Sequence, residues 1–384
     1  MTSQSAHLLE TLVGFDTVSR HSNLALIDFV ANYFDGFGVS VERVFSADKT
    51  KANLLATIGP QDQSGLVLSG HTDVVPVDGQ DWSSDPFVVR DADNRFYGRG
   101  TADMKGFIAC AMAQTPRLVA SELKRPITFA LSYDEEIGCV GVRDLLKKLI
   151  LEPVKPAGVI VGEPTSMSVV IGHKGKRSLR VSITGTAAHS SLAPKAVNAV
   201  EYGARLTVFI QDMARTLAKD GLRDDMYDVP HTTAHVGVMN GGTQLNIVPE
   251  MCVLDFEFRS LPEEDVDAMV ESVKRYAAQE LEPQMQAIAP QTGIRFDVLS
   301  GFPGLSTEPT HGFVGSMKTI AHSKELGKVA FGTEAGLFTE RVGIPAVVCG
   351  PGSIVQAHRA DEYVDHSQLD ACDQFLSRVV DSCC

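Results

Sequence analysis

Two histidines and several carboxylates sit directly after apolar runs, where a soluble chain has little reason to place them. LVLSGHTDVVP (66–76) ends an apolar run in His71 and Asp73, at H-x-D spacing. Residues two apart in extended backbone face the same side, so His71 can offer a ring nitrogen while Asp73 stands beside it as an orienting carboxylate. The same tripeptide also suits a histidine satisfied by a turn aspartate. Asp134, Glu135 and Glu136 follow the apolar stretch Ile127 to Tyr133. Three adjacent acids repel one another, a cost that a cation or full solvation relieves. Asp103, in RFYGRGTADMKG (95–106), precedes a helical stretch, as an N-cap or a ligand would. Glu163 follows Ala157 to Val161, and His358 lies beyond Ala346 to Cys349.

Two imidazoles and three carboxylates match two divalent ions sharing a bridge. Mixed nitrogen and oxygen donors suit zinc, with cobalt or manganese as substitutes. Such a pair activates water and polarises a carbonyl, the equipment of an amide hydrolase. The carboxylate left over becomes the base.

The elements that must hold these groups read as alternating helices and strands. Helical spacing covers residues 5–17 and 24–37, and strands are expected at 39–45, 53–58 and 66–69. A loop rich in Gly, Asp, Ser and Pro spans 78–93, then a helix at 107–118, a strand at 127–133, a helix at 142–151 and a strand at 157–161. This order implies an α/β fold, a mainly parallel sheet flanked by helices through right-handed crossovers. Ligands bind such sheets at the carboxyl ends of the strands, where His71, Glu135, Glu136 and Glu163 all fall. From about Arg177 the strands alternate (178–184, 232–239, 246–248, 251–259) around helices at 198–217 and 266–281, suggesting an α+β layer of antiparallel sheet. The expected division is 1–176, an inserted domain at 177–299, and a return to the first domain at 300–384.

At 384 residues the chain exceeds what one core usually holds, which agrees with two domains. A net charge of −14 argues against general affinity for nucleic acid or anionic membranes. Seven cysteines without C-x-x-C spacing read as reduced thiols, with Cys383 and Cys384 expected on an exposed tail. The opening MTSQSAHLLETLVGFD has no basic stretch before an apolar core, so no secretory signal is expected and the expected location is cytoplasmic.

The blocks SGHTDVVP (69–76), GRGTADMKG (98–106), DEE (134–136), GEPT (162–165), FGTEAG (331–336) and GPGSIVQAHRADEYV (350–364) resemble the dinuclear zinc amidohydrolases of the M20 peptidase group, in the group's order along nearly the whole chain. The resemblance implies a zinc-peptidase-like catalytic domain with an inserted dimerisation or lid domain. It implies that His71 and Glu163 hold one metal and Glu136 and His358 the other, with Asp103 bridging and Glu135 as general base. Asp73 would orient His71. In the insert, AAHSS (187–191) resembles the group's histidine motif, so His189 would reach across a homodimer to the oxyanion. Asn246 and Arg259 would contact substrate. The activity implied is hydrolysis of a small N-acyl amino acid, with N2-acetyl-L-ornithine as the substrate the turn sequences favour. Arg259 would then pair with its α-carboxylate and Glu334 with its terminal ammonium. Succinyl-diaminopimelate, or a broader range of N-acyl amino acids and dipeptides, is the alternative. Two zinc ions, replaceable by cobalt, are the implied cofactors.

Overall fold

The computed structural model describes residues 3–384. They divide into two compact units: unit 1 is the chain up to His173 with Leu305–Lys328 and Thr333–Cys384, and unit 2 is Lys174–Gly304 with Val329–Gly332.

Unit 1 is built on one nine-stranded sheet. Its strands run in the spatial order Val41–Phe45, Ala52–Ile58, Ile127–Ser132, Leu66–His71, Gly158–Pro164, Ala346–Gly350, Val169–His173 and Leu305–Ser306, with Leu326–Val329 also pairing to Val169–His173. The four central strands, from Ile127–Ser132 to Ala346–Gly350, are parallel, and antiparallel pairs flank them on both sides. Strands buried on both faces need continuous apolar sequence, and every residue of Leu66–His71 and Gly158–Pro164 is buried. Leu12, Phe34, Phe107, Phe129, Ile160 and Phe375 join the helices to the sheet in one core.

The expected helix at 107–118 is two helices, Lys105–Ala113 and Thr115–Ala120. Pro116 lacks an N–H and suits only the first turn of the second. The sequence predicts no strand at Val169–His173. Ser166 and Met167 both take left-handed backbone (φ 52° and 61°) and turn the chain back antiparallel beside Ala346–Gly350. Cys383 is buried, its carbonyl accepting from the Lys124 and Arg125 amides, so only Cys384 is exposed. All seven thiols are free.

Unit 2 is a four-stranded antiparallel sheet in the order Thr233–Gly241, Met251–Ser260, Gly175–Thr184, Gly293–Phe302. Met251–Ser260 alternates buried and less buried residues, as a strand with one face on a core must. Leu206 and Ile210 of helix Ala199–Asp220, with Val270 and Val273 of helix Val266–Tyr276, pack with Leu179, Leu254 and Phe258 of the sheet. The second helix runs on through a π turn, Ala277–Leu281, into Glu282–Ile288. Asn246 to Val248 is a loop rather than a strand, with one bridge from Ile247 to His189. Pro249 ends the segment and cannot donate to a ladder. Among the described residues no helix is long and apolar enough to cross a membrane.

Gly162 lets the Phe107 ring press against the strand that carries Glu163. A Cβ there would stand 1.9 Å from the ring's Cγ, with Phe107 fully buried. Gly162→Ala is expected to destabilise unit 1 by about 1–3 kcal/mol through overpacking, read as a lower midpoint in urea unfolding.

Candidate active site

Strand register builds the site. Leu66–His71 lies between two parallel neighbours, with His71 opposite Ser132 and Ser69 opposite Val161. Two residues beyond that last pair stand His71 and Glu163, while Asp134, Glu135 and Glu136 continue directly past Tyr133. Parallel strands leave the sheet at the same edge, so three separate stretches deliver their polar groups together.

His71 is the centre of the cluster and fully buried. Its Nε2 lies 3.0 Å from Asp103 Oδ1 and 3.7 Å from Glu163 Oε1. His358 Nε2 stands 3.3 Å from the other Asp103 oxygen and 3.1 Å from Glu136 Oε2. Asp103 therefore sits between the two imidazoles, as a bridging carboxylate would. It makes no cap to the helix that follows: that helix starts at Lys105 with Met104 at its N-cap and no side-chain cap. His358 is 49% exposed at its side chain, whereas Asp103 and Glu136 are nearly covered, so the cluster opens to solvent on the His358 side.

Asp73 does more than orient His71. The imidazole Nδ1 lies 2.9 Å from the Asp73 carbonyl and 3.6 Å from its carboxylate. That carboxylate accepts from the backbone N–H groups of Glu135 (3.0 Å) and Glu136 (3.3 Å) and from Ser19 Oγ (2.7 Å). It therefore fixes the peptide segment that presents both glutamates. Asp134, the first of the three acids, has φ 55° and turns to Lys51, 2.5 Å away. Only Glu135 and Glu136 are left for the cluster. Cys139 Sγ donates to Glu135 Oε1 at 3.2 Å, a contact no spacing in the sequence signals.

Glu334 is held between the central strands. It is 1% exposed, and its two carboxylate oxygens accept from Ser69 and Ser132 hydroxyls on the neighbouring central strands. Lys105 is buried and donates to the Phe15 carbonyl at 2.8 Å, holding the turn after Asp103.

In unit 2, His189 is exposed and its Nδ1 lies 2.8 Å from Ser191 Oγ. Asn246 is beside it, its carbonyl accepting from the Ser190 amide. Arg259 is near the other end of Met251–Ser260, with Nε 2.9 Å from Glu257. Within unit 2 the first two residues are brought together and the third is held apart from them.

The electrostatics describe a cluster short of positive charge. Burial, with Glu136 and Asp73 adding to it, pushes the Glu135 carboxyl up to about 8. Burial and the Asp103 charge raise Glu136 to about 7, and the same two causes hold Glu163 well above the usual carboxylate range. Burial works against a charged His71, yet the Glu163 and Asp103 carboxylates outweigh it and hold the imidazolium strongly. Protons are thus retained to offset acids that cannot separate, and divalent cations would release them.

The donor set fits such ions. Ligand atoms of His71, Glu135 and Glu163, and those of His71, Asp103 and Glu136, lie within 4.8 Å of one another. Glu136 Oε1 and Glu163 Oε1 are buried with no hydrogen-bond partner, an arrangement that burial makes costly unless something else binds them. Nitrogen and carboxylate donors of this number suit zinc or a similar first-row ion.

Residues 67–382 match Peptidase family M20/M25/M40. The acetylornithine deacetylase of Vibrio atlanticus is 32% identical over 379 residues, covering 97% of each chain. The chain belongs to peptidase family M20/M25/M40. Membership makes it a metal-dependent amidohydrolase. The fold agrees with an M20 family metallo-carboxypeptidase from Sulfolobus solfataricus, with TM-score 0.77 at 19% identity over 99% of each chain. It also agrees with a dinuclear metal binding peptidase of the M20 family from Bacillus subtilis, with TM-score 0.64 at 15% identity over 98% of this chain and 96% of the other.

Because repulsion among these acids opposes folding until cations offset it, stripping divalent ions with a chelator is expected to lower the thermal midpoint, and zinc to restore it. Differential scanning fluorimetry with and without added zinc measures both shifts.

Proposed function

We propose that this enzyme removes the acetyl group from N2-acetyl-L-ornithine, giving L-ornithine and acetate. The observation that carries the reading is the convergence of His71, Asp103, Glu136, Glu163 and His358 on one edge, with Glu135 beside them and bound only weakly, by a thiol. The choice of acyl group and side chain is supported by likeness to the Vibrio acetylornithine deacetylase over nearly the full length of both chains.

In this proposal His71 and Glu163 would hold one divalent ion and Glu136 and His358 a second, Asp103 would serve both, and zinc would be the native metal. When bound, such ions supply a Lewis acid for the amide carbonyl and acidify the attacking water. Glu135 takes the proton of that water as its oxygen attacks the amide carbon. Carbon then carries the new oxygen, and the carbonyl electron pair resides on the former carbonyl oxygen as an oxyanion. Glu135 returns the proton to the departing nitrogen as the C–N bond breaks, so one carboxylate is base and then acid. Asp73 and Ser19 keep the Glu135 and Glu136 backbone in place while the proton moves.

We further propose that unit 2 is the inserted dimerisation and lid domain, pairing two copies of the chain. His189 would stabilise the oxyanion in the partner copy. Asn246 would contact substrate and Arg259 its α-carboxylate by a charge-assisted hydrogen bond. Free thiols throughout support a reducing compartment, the cytoplasm.

Glu135→Ala is expected to lower kcat by about 10²–10⁴ while zinc uptake, followed by calorimetry, stays near wild type. Near-normal turnover would remove Glu135 from this role. For the substrate, kcat/KM is to be compared across acetyl, formyl and succinyl derivatives of ornithine, diaminopimelate, glutamate and methionine. N2-acetyl-L-ornithine should lead; a higher value for N-succinyl-diaminopimelate would replace the proposed substrate.

A further inference from the structure

Glu362 has no part in the chemistry described above, yet it is among the most heavily coordinated carboxylates in the structure. It is 1% exposed, and its Oε1 accepts from the backbone N–H groups of Gly100 (3.0 Å), Ala102 (3.0 Å) and Asp103 (3.1 Å). Its Oε2 accepts from Arg99 Nη1 at 2.7 Å, and Arg99 is itself 1% exposed. Gly100 takes φ 86°, and this left-handed turn helps the three N–H groups converge on one point. Such a concave set of amides binds anions. Here the anion is a side chain from another loop.

That loop carries His358, four residues earlier in sequence. Arg99 also donates to Gln80 Oε1 (2.6 Å) and to the Arg359 carbonyl (3.4 Å), and Gln80 Nε2 donates to the His358 carbonyl (3.1 Å). The Gly98 amide donates to the Glu362 carbonyl at 2.9 Å, and Tyr97 pairs with Tyr363 in a small antiparallel sheet. One buried ion pair therefore joins the turn that bears Asp103 to the loop that bears His358.

Resting on the metal-centre reading above, we propose that Glu362, with Arg99, is a positioning residue that sets the Asp103 turn and the His358 loop for the ions before any ion binds. Asp103 must stand between His71 and His358, and its own backbone N–H is one of the three that Glu362 holds. A rotation of that turn would separate its carboxylate from both imidazoles. Neither near substitute can do the same work. Glutamine offers a single acceptor oxygen and would turn an NH₂ group towards either Arg99 or the amides. Aspartate is one methylene short and cannot satisfy the amides and the guanidinium together.

The test titrates zinc by calorimetry into the full chain stripped with chelator, comparing wild type with Glu362→Gln and Glu362→Asp. The unfolding midpoint of each stripped protein is recorded alongside. A folded variant is expected to take up at least one ion about 10–100-fold more weakly, the usual scale for loss of a group that orients metal ligands. A variant with a lower midpoint but wild-type zinc affinity would show a merely structural role and overturn the proposal. Should neither variant fold, hydrogen exchange in wild type decides. Slow exchange at Gly100, Ala102 and Asp103 in the stripped protein supports a turn set in advance, and fast exchange that slows only on adding zinc overturns it. Wild type that takes up no zinc would overturn the metal-centre reading itself, and this proposal with it.

Discussion

Repulsion among carboxylates at one buried edge is the constraint to which the surrounding structure answers. Two like charges about 4 Å apart differ by roughly 4 kcal/mol from separated charges at the dielectric typical of partly buried sites, and unit 1 gathers several such pairs. The fold sorts its acids in response. Asp73 receives two backbone amides and a serine hydroxyl, Asp134 receives Lys51, Glu334 receives two serines, and Glu362 receives three amides and Arg99. Each of these four is neutralised or fully bonded within the protein. Glu136 and Glu163 are not, since each retains a buried oxygen with no hydrogen bond. Two of the proposed ligands, Glu136 and Glu163, thus differ from these four acids by an oxygen that the protein leaves unbonded.

Much of this was legible before the structure, for one physical reason. A strand buried on both faces must be apolar along its length, so a charged residue at its end is conspicuous. His71, Glu135, Glu136 and Glu163 announce themselves in this way, and the parallel order of strands brings them to one edge. Asp103 and His358 were identifiable as metal-capable, but their approach to the other groups depends on loops, whose course the sequence does not dictate.

The groups that hold the loops were harder to see. Glu362 follows Asp361 in a polar turn and reads as one more solvated acid, although it is among the most enclosed side chains in unit 1. Arg99 between two glycines reads as an exposed turn residue for the same reason. Their pairing spans 263 positions in sequence, and nothing local to either one reports it. Cys139 and Ser19 escaped notice because a thiol and a hydroxyl carry no spacing signal. Glu334 is acidic and lies in a motif, but its burial against Ser69 and Ser132 follows from the sheet register, which composition does not encode. The strand Val169–His173 was hidden by a reversal at Ser166 and Met167, residues without a strong preference for left-handed backbone.

The two kinds of proposed ligand differ in what anchors them. His71 and Glu163 leave from strands whose neighbours fix their register on both sides, so their positions are as firm as the sheet. Asp103 and His358 lie on loops, and the one that carries His358 is bridged to the Glu163 strand's continuation only near its start, from Ser353 to Thr165. A site that needs both kinds must tie the loops to each other, or the second half of the donor set would drift independently of the first. The Gly98 amide and the Tyr97–Tyr363 ladder already tie the two by backbone, but neither reaches the segment from Gly100 to Asp103. A buried carboxylate that gathers the free amides of that turn, with a guanidinium that reaches the neighbouring loop, supplies the missing constraint. The glycines that free the turn to approach the site also create the need for Glu362 to hold it there.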